Sequence, residues 1–553
     1  MEKKINKKID SLLKKMPCVG SSAVLFNDKE IIYKRHDGFI NKAKELKTDD
    51  NSYFMIGSNT KVLTALGVFK LYEKGKLSLN DDIKKYLPEF KIKSVFEQET
   101  ITIEHLLKHR SGIQCDLYDY ILNDQCDYHD IIKALENTYL TNKPGAMFAY
   151  SNIGYTLLGI IIERITGLSY VEYIKENIAK PLGVDIHFIN PKDKKGENFS
   201  LSYDKKLEEK IDPLATLLPA GSNTYMKITD LIKVGQMFLN GGIVDGNEFI
   251  KKDTLDLMLS FDLNQPLDKK ISNVGYGIIH NSLNIEIEDK IIGHGGDTFY
   301  HHSYFMMIPG KNVGAVVFTN SESGEVLSQN IGNNLLYKYL EHNGVKLQKP
   351  STKHKHVETN LDKYIGEYAT IFGLMKFEFD TKGNLVTTVS GQKVKLIPCE
   401  DGYLQAYPIC RWYKKPFLRV LKTLRFNLTE YSNEQVLAFE QVKGYKKIDL
   451  IIGVPYSANE TETLWTSAVG QYEIVNLDNE NFKGMALINE GDKLQVVVDL
   501  GLEKIIKYIK VYNDNVAFSQ GFGRDCKEAI HLKEEDGYYY IYCSGVLGKK
   551  KND

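Results

Sequence analysis

Phe54-Met55-Ile56-Gly57-Ser58-Asn59-Thr60-Lys61, running straight into the apolar stretch Val62 to Leu71, is the segment around which the chain is organised. It reads as the start of a buried helix carrying a serine with a lysine three residues on. Residues three apart on a helix share a face, so Ser58 Oγ and Lys61 Nζ point into the same space, with Ser58 in the first turn. A helix N-terminus supplies free N–H groups and the positive end of the dipole, which suits an oxygen that must become an anion. A lysine held beside a serine in a dry site can lose its proton or stabilise a neighbouring base. The plainer reading makes Ser58 an N-cap and Lys61 a surface residue. A Ser-x-x-Lys spacing alone does not decide between the two.

At 553 residues the chain is too long for one core, and about two to four domains are expected. Hydrophobic residues make up 42% and charged residues 26%, ordinary for a globular protein. The net charge of −1 gives no global field to attract nucleic acid or an anionic membrane. The N-terminus, MEKKINKKIDSLLKKM, has basic residues but no apolar core or cleavage site, so no signal peptide is expected. Its Ile5, Ile9, Leu12, Leu13 and Met16 fall on one helical face. No run of eighteen apolar residues exists to span a membrane. The seven cysteines are scattered and never form a C-x-x-C pair, which fits a reducing compartment. A cytoplasmic location is expected.

Outward from the Ser58 segment, Ser22–Phe26 and Glu30–Tyr33 form a hairpin signal around Asn27-Asp28. Residues Ile101–Gly112 read as a short helix closed by glycine. Helix, loop, helix follows over 130–175, the loop holding Lys143-Pro144-Gly145 and Phe148-Ala149-Tyr150-Ser151-Asn152. A helix from Thr229 to Leu239 precedes four strand-like runs: Tyr276–Ile279, Lys290–Gly296, Tyr304–Met307 and Val313–Phe318. A further helix over 322–341 closes this part. Strands at both ends with helices between imply a mixed α/β (α+β) domain, an antiparallel sheet flanked by helices, over residues 1–345. A polar linker follows over 346–360. From 361 onward short alternating runs at roughly ten-residue spacing suggest all-β barrels or sandwiches. Tyr364-Ile365-Gly366-Glu367-Tyr368 echoes Ala468-Val469-Gly470-Gln471-Tyr472. That suggests two related β-barrel domains, over 361–457 and 466–548.

Three short motifs stand in order on the first part: Ser58-Asn59-Thr60-Lys61, Tyr150-Ser151-Asn152 and His294-Gly295-Gly296. Together they resemble the penicillin-recognising serine hydrolase superfamily, especially its branch of class C β-lactamases, D-aminopeptidases, related DD-peptidases and esterases. His105–Gly112, Pro219-Ala220-Gly221 and Gly293 are similar to this branch too, and the resemblance covers about 20–345. It implies a β-lactamase/transpeptidase-like domain followed by lipocalin-like barrels, and no cofactor or metal. The barrels are then expected to cover or border the cleft, or to build a homo-oligomer.

The chemistry also reads without the family. Acyl transfer needs a nucleophile, a base, an oxyanion site and a substrate clamp. Ser58 fits the first. Tyr150 fits the second, since an ammonium such as Lys61 beside a tyrosine favours the phenolate. Lys61 orients and charge-stabilises, and the Asn152 amide reaches Lys61 and the substrate. By resemblance, His294 lies on the strand lining the cleft and assists proton transfer, and Gly295 and Gly296 let a substrate backbone lie close. The oxyanion hole falls to the N–H groups of Ser58 and Asp297. Taken singly, Tyr150 reads as a buried aromatic, Asn152 as a helix cap and His294 as a turn residue.

His294 stands where most relatives carry lysine, which removes a permanent charge for a substrate carboxylate. Bulky Phe299 and Tyr300 follow where relatives have a glycine-rich turn. His301-His302 is no metal site on this reading, because adjacent strand residues face opposite sides. His105 and His109 stand one turn apart without the glutamate of a zinc helix. The cation-rich stretch Arg411–Phe426 reads as a basic hairpin, with a membrane-surface segment as its alternative. The expected activity is hydrolysis of a small peptide containing a D-residue, an amide or an ester, through an acyl-enzyme on Ser58. The alternatives are a β-lactamase proper and a non-catalytic binding or scaffold protein that kept the fold.

Overall fold

The computed structural model describes residues 1–551 except 98–99, 123–126, 191–192, 194–195, 213–218, 220, 222, 261–273, 281–282, 284, 390, 410–420, 432–433, 460–463, 478–482, 500–503 and 523–525. The basic stretch from Arg411 to Val420 therefore lies outside the described residues.

In chain order the elements that matter are α1 (Glu2–Lys15), β1 (Gly20–Phe26), β2 (Ile31–Asn41), β3 (Leu46–Lys47) and α2 (Thr60–Glu73). Then come α3 (Ile103–Leu107), α4 (Asn152–Thr166), α5 (Ile228–Leu239), β4 (Ile279–His280), β5 (Ile292–Asp297), β6 (His302–Ile308), β7 (Val313–Thr319) and α6 (Gly324–His342). The strands form one seven-stranded sheet in the order β4-β5-β6-β7-β1-β2-β3, antiparallel throughout.

The central strands β1, β6 and β7 are buried at every position because both faces are covered. Along β6, Phe305 and Met307 pack toward α2, α4 and α5, while Tyr304, Met306 and Ile308 pack toward α1 and α6. That is the period of two expected of a strand. The amphipathic first helix docks Ile5, Ile9 and Leu12 on the second face. Helix α2 has no polar face because it runs through the middle of the larger core, with Val62 to Phe69 buried. The short helix α3 ends earlier than its glycine suggests: His109, with φ +53°, makes the left-handed turn.

Two closed barrels of eight strands follow, each an up-and-down meander. The first runs from Gly366 to Pro455 and the second from Gly470 to Lys550, each closed by pairing its first strand with its last. Eight-stranded barrels are narrow enough to be filled by side chains. Phe377, Phe426, Leu437 and Ile452 fill the first, and Met485, Val496, Ile509 and Ile541 the second. The two echoing pentapeptides take the same place in each. Tyr368 and Tyr472, on the opening strands, turn back to donate a hydrogen bond to the carbonyl four residues earlier, Tyr364 and Ala468. Among the described residues no helix is long and apolar enough to cross a membrane.

Burial holds His280, His294 and His531 neutral, each with its pKa pushed down to about 4. The unfolded chain takes up these protons first, so stability that is complete above about pH 6.5 is lost as pH falls toward 4. Burial raises the Asp119 carboxyl to about 6, which works in the opposite sense between its ordinary value and 6. His105 and His354 are shifted down as well, while His129, Asp230 and Glu325 are shifted up; with the large histidine shifts dominant, the melting temperature is expected to fall between pH 6.5 and 4.5. Each histidine contributes up to about 1.4 kcal/mol per pH unit, and His280→Leu is expected to flatten the slope. A melting temperature independent of pH over that range would contradict this.

Candidate active site

Ser58 sits in a single 3₁₀ turn, Gly57–Asn59, immediately before α2, not inside the helix itself. The turn is pinned from both sides. Asn59 Nδ2 donates to Ser303 Oγ at 2.7 Å, and that hydroxyl donates to the Ile56 carbonyl at 2.7 Å. Gly57 has φ +53°, and a methyl group there would lie 2.7 Å from the Asp297 amide nitrogen. Only glycine allows the serine turn to approach the end of β5 so closely. A methyl on Gly296 would strike the Ile56 carbonyl at 1.9 Å.

Lys61, on the first turn of α2, is fully buried, which rules out the surface reading. Its ammonium donates to Ser58 Oγ at 3.0 Å and to Asn152 Oδ1 at 2.7 Å. Tyr150 donates its hydroxyl to Ser58 Oγ at 2.9 Å. The Lys61 nitrogen lies 5.0 Å from the centre of the Tyr150 ring. The serine oxygen is thus held between a cation and a phenol, and two of the three motifs meet on one atom.

Asn152 is the first residue of α4. The cap is Ser151, whose Oγ accepts from the Gly154 amide at 2.9 Å. The Asn152 side chain is left to bridge: its Nδ2 donates to Asp116 Oδ1 at 2.8 Å while its oxygen faces Lys61. This orients the amide, since a carboxylate beyond Nδ2 fixes which end faces the ammonium.

His294 lies on β5 and is buried, with Nδ1 bonded to the Gly295 carbonyl. Burial first, and the Lys61 charge second, hold its pKa at about 4. It is a neutral imidazole at physiological pH and supplies no fixed positive charge. Gly295 and Asp297 alternate with it and face the α6 side of the sheet. There they border a cavity of about 250 Å³ with Ser328, Gln329 and Asn333 of α6 and Lys443 of the first barrel. Tyr300 is buried and Phe299 packs against the larger core. His302 Nδ1 meets Asp297 Oδ1 at 2.8 Å and His301 Nδ1 meets Ser202 Oγ at 3.2 Å. Each has a role in holding the β5–β6 connection.

Sequence reasoning missed two residues. His109 stacks beneath Tyr150, ring centres 4.3 Å apart and 24° from parallel, and its Nδ1 accepts from the Ser151 amide at 3.0 Å. An acceptor Nδ1 means the ring is neutral with its proton on Nε2. Asp116 anchors Asn152. His109 had a signal, its place in the His105–Gly112 stretch that resembles the family; Asp116 had none.

Comparison with known proteins agrees with this geometry. The chain is 28% identical over 340 residues to Protein flp of Staphylococcus aureus strain N315, covering 58% of this chain and 64% of that protein. It is 29% identical over 253 residues to the putative penicillin-binding protein PbpX of Bacillus subtilis strain 168, covering 45% of this chain and 62% of that protein. The chain thus spans less than two thirds of the length of these curated relatives. A similar solved structure is that of an octameric penicillin-binding protein homologue from Pyrococcus abyssi, with a TM-score of 0.55 at 24% identity, covering 82% of this chain and 99% of that one; it shares the fold. The family profile described as Beta-lactamase matches residues 5–336, more than half of the sequence. With its serine turn, buried lysine and tyrosine converging on one oxygen inside that span, the chain belongs to the beta-lactamase family.

Proposed function

We propose that the protein is a serine hydrolase that cleaves a peptide or amide containing a D-residue, or an ester, through an acyl-enzyme on Ser58. The observation that carries this reading is the pair of hydrogen bonds on Ser58 Oγ, 3.0 Å from Lys61 Nζ and 2.9 Å from Tyr150 OH. A structural serine has no need of a buried ammonium and a phenol on one oxygen, which weighs against a scaffold role. In the reaction Tyr150, as the phenolate that the Lys61 ammonium favours, takes the hydroxyl proton as Ser58 attacks the carbonyl carbon. The amides of Ser58 and Asp297 face the developing oxyanion, and Gly57 supports this by letting the two segments touch. Tyr150 then returns the proton to the leaving nitrogen or oxygen, and water attacks the acyl-enzyme by the same route in reverse.

A β-lactamase proper is the second reading, favoured by the family and disfavoured by His294, which is neutral where a fixed cation would hold the drug's carboxylate. A panel of D-amino-acid amides, D-Ala-D-Ala peptides, p-nitrophenyl esters and nitrocefin separates the readings. Fluorophosphonate labelling, mapped by peptide mass, is expected to place the adduct on Ser58. No adduct under any condition sinks the hydrolase reading. Turnover of nitrocefin at rates above those of the amides and esters replaces it with the second. Homo-oligomerisation is part of the proposal, to be measured by light scattering.

Gly295 bears on specificity. Its backbone is not left-handed, and a methyl there meets nothing nearer than Ser303 O at 4.0 Å. The fold does not require glycine; its effect is to leave the cavity beside β5 open. Gly295→Val is expected to fold normally and to raise KM for substrates with a large group on that side about tenfold or more, while small esters are unaffected. Equal KM values across a size series would contradict this.

A further inference from the structure

The Tyr150 segment, residues 144–151, has neither helix nor strand to hold it. Part of its support is local: the Gly145 and Ala149 amides donate to the Arg110 and His109 carbonyls at 2.7 and 2.8 Å. The rest comes from far along the chain. Met147, three residues before Tyr150, is 5% exposed and buried in a cluster with Tyr431, Val436 and Ile451 of the first barrel and Phe522 of the second. Tyr431 and Phe522 meet edge to face across the two barrels, centres 5.6 Å apart. Lys527 of the second barrel donates to both carboxylate oxygens of Glu434 of the first, at 2.7 and 2.6 Å, with the Met147 sulfur 4.0 Å from the same nitrogen. The socket exists only where both barrels meet.

A second contact repeats the pattern on the other side of the site. The Tyr118 amide, two residues from Asp116, donates to the Ser544 carbonyl of the second barrel at 2.9 Å. Tyr542 OH donates to Asp119 Oδ2 at 3.1 Å. Gly545 lies so close that a methyl on it would sit 2.4 Å from the Tyr118 nitrogen. The route from there to the lysine is short: Asp116 to Asn152 to Lys61.

We infer that the two barrels act as one clamp on the catalytic machinery, with Met147 as the positioning residue through which they set Tyr150 against Ser58. This rests on the hydrolase reading above. The barrels supply no group that touches the reacting atoms; they fix the segment that carries the base and the segment that carries the anchor of Asn152. Bistable or loose placement of a base by about 1 Å is enough to cost on the order of a hundredfold in rate.

The test uses the full-length protein and three variants, Met147→Ala, Met147→Leu and Phe522→Ala, with fluorophosphonate labelling of Ser58 and turnover of a p-nitrophenyl ester across pH. Met147→Ala and Phe522→Ala are expected to lower kcat and the labelling rate tenfold or more, leave KM within twofold, and shift the acid limb of the kcat profile. Met147→Leu, which refills the socket, is expected to restore kcat to within threefold. Phe522 lies in the second barrel, so an effect there on the base's pH limb reaches Ser58 through the socket. Wild-type labelling rates and pH limbs in both Met147→Ala and Phe522→Ala would overturn the clamp. Failure of the wild-type protein itself to label tells against the hydrolase reading instead, and a general loss of folding in the alanine variants that leucine does not repair would reduce Met147 to a structural contact.

Discussion

Ser58→Ala and Lys61→Met are each expected to lower turnover of whichever substrate the panel identifies by about 10³-fold or more, and the double variant is expected to lose no more than the worse single one. Lys61 Nζ lies 3.0 Å from Ser58 Oγ and 2.7 Å from Asn152 Oδ1, so its charge acts on the atom that Ser58→Ala removes. Groups that act on one atom in one step give non-additive losses. The effect on stability is separate from the effect on rate. Lys61 is a fully buried cation in a helix whose neighbours Val62, Leu63, Ala65 and Leu66 are all core. Removing a buried charge in favour of an apolar side chain of similar length is often neutral or stabilising, while the Asn152 oxygen left behind costs about 1–3 kcal/mol. The melting temperature of Lys61→Met is therefore expected to stay close to wild type while turnover collapses. A large loss of stability with activity retained in the folded fraction would make Lys61 a structural residue. Additive losses in the double variant would mean that lysine and serine act at separate steps.

The reasons this site could be read from the sequence are local ones. A serine turn before a helix that is apolar from Val62 to Phe69 except for Thr64, with a lysine three residues on, constrains both side chains to one space before any tertiary contact is known. The barrels were legible for a similar reason: alternation is a property of each strand, and the Tyr364–Tyr368 and Ala468–Tyr472 echo marks the same side-chain hydrogen bond, four residues back, on the opening strand of each. The residues that escaped are those whose role is set by distant chain. Asp116 lies in no motif, and its carboxylate acquires meaning only when α4 brings Asn152 to it. His109 looked like one member of a helical pair with His105, because spacing of four implies a shared face. In the structure the helix stops at Leu107, His109 turns left-handed, and its ring slides under Tyr150. Asn152 reads as a cap by residue type, but Ser151 takes that role and frees the amide for Lys61. Met147 is separated by 284 residues or more from the barrel side chains that bury it, and no local pattern records such a contact.

Tyr150→Phe is expected to lower kcat about 10²- to 10⁴-fold, the range for loss of a positioned general base, with KM close to wild type and the acid limb of the pH profile flattened. The substitution removes one oxygen, the one that donates to Ser58 Oγ at 2.9 Å, and leaves the ring where it is. That ring is stacked on His109 and faced by the Lys61 ammonium 5.0 Å from its centre, and neither contact needs the hydroxyl. The fold of the segment is therefore expected to survive, so the loss in rate is a measure of proton transfer rather than of disorder. His109→Gln tests the other half of the same unit. Its amide can still accept from the Ser151 N–H, but it offers no ring to stack on. A smaller loss, about tenfold, with the pH limb displaced rather than flattened is the result expected if His109 orients Tyr150 without exchanging protons with the substrate. The two profiles together decide which residue is the base. Should Tyr150→Phe keep its acid limb while Lys61→Met loses it, the proton acceptor is the lysine, and Tyr150 serves only to hold the serine hydroxyl toward it.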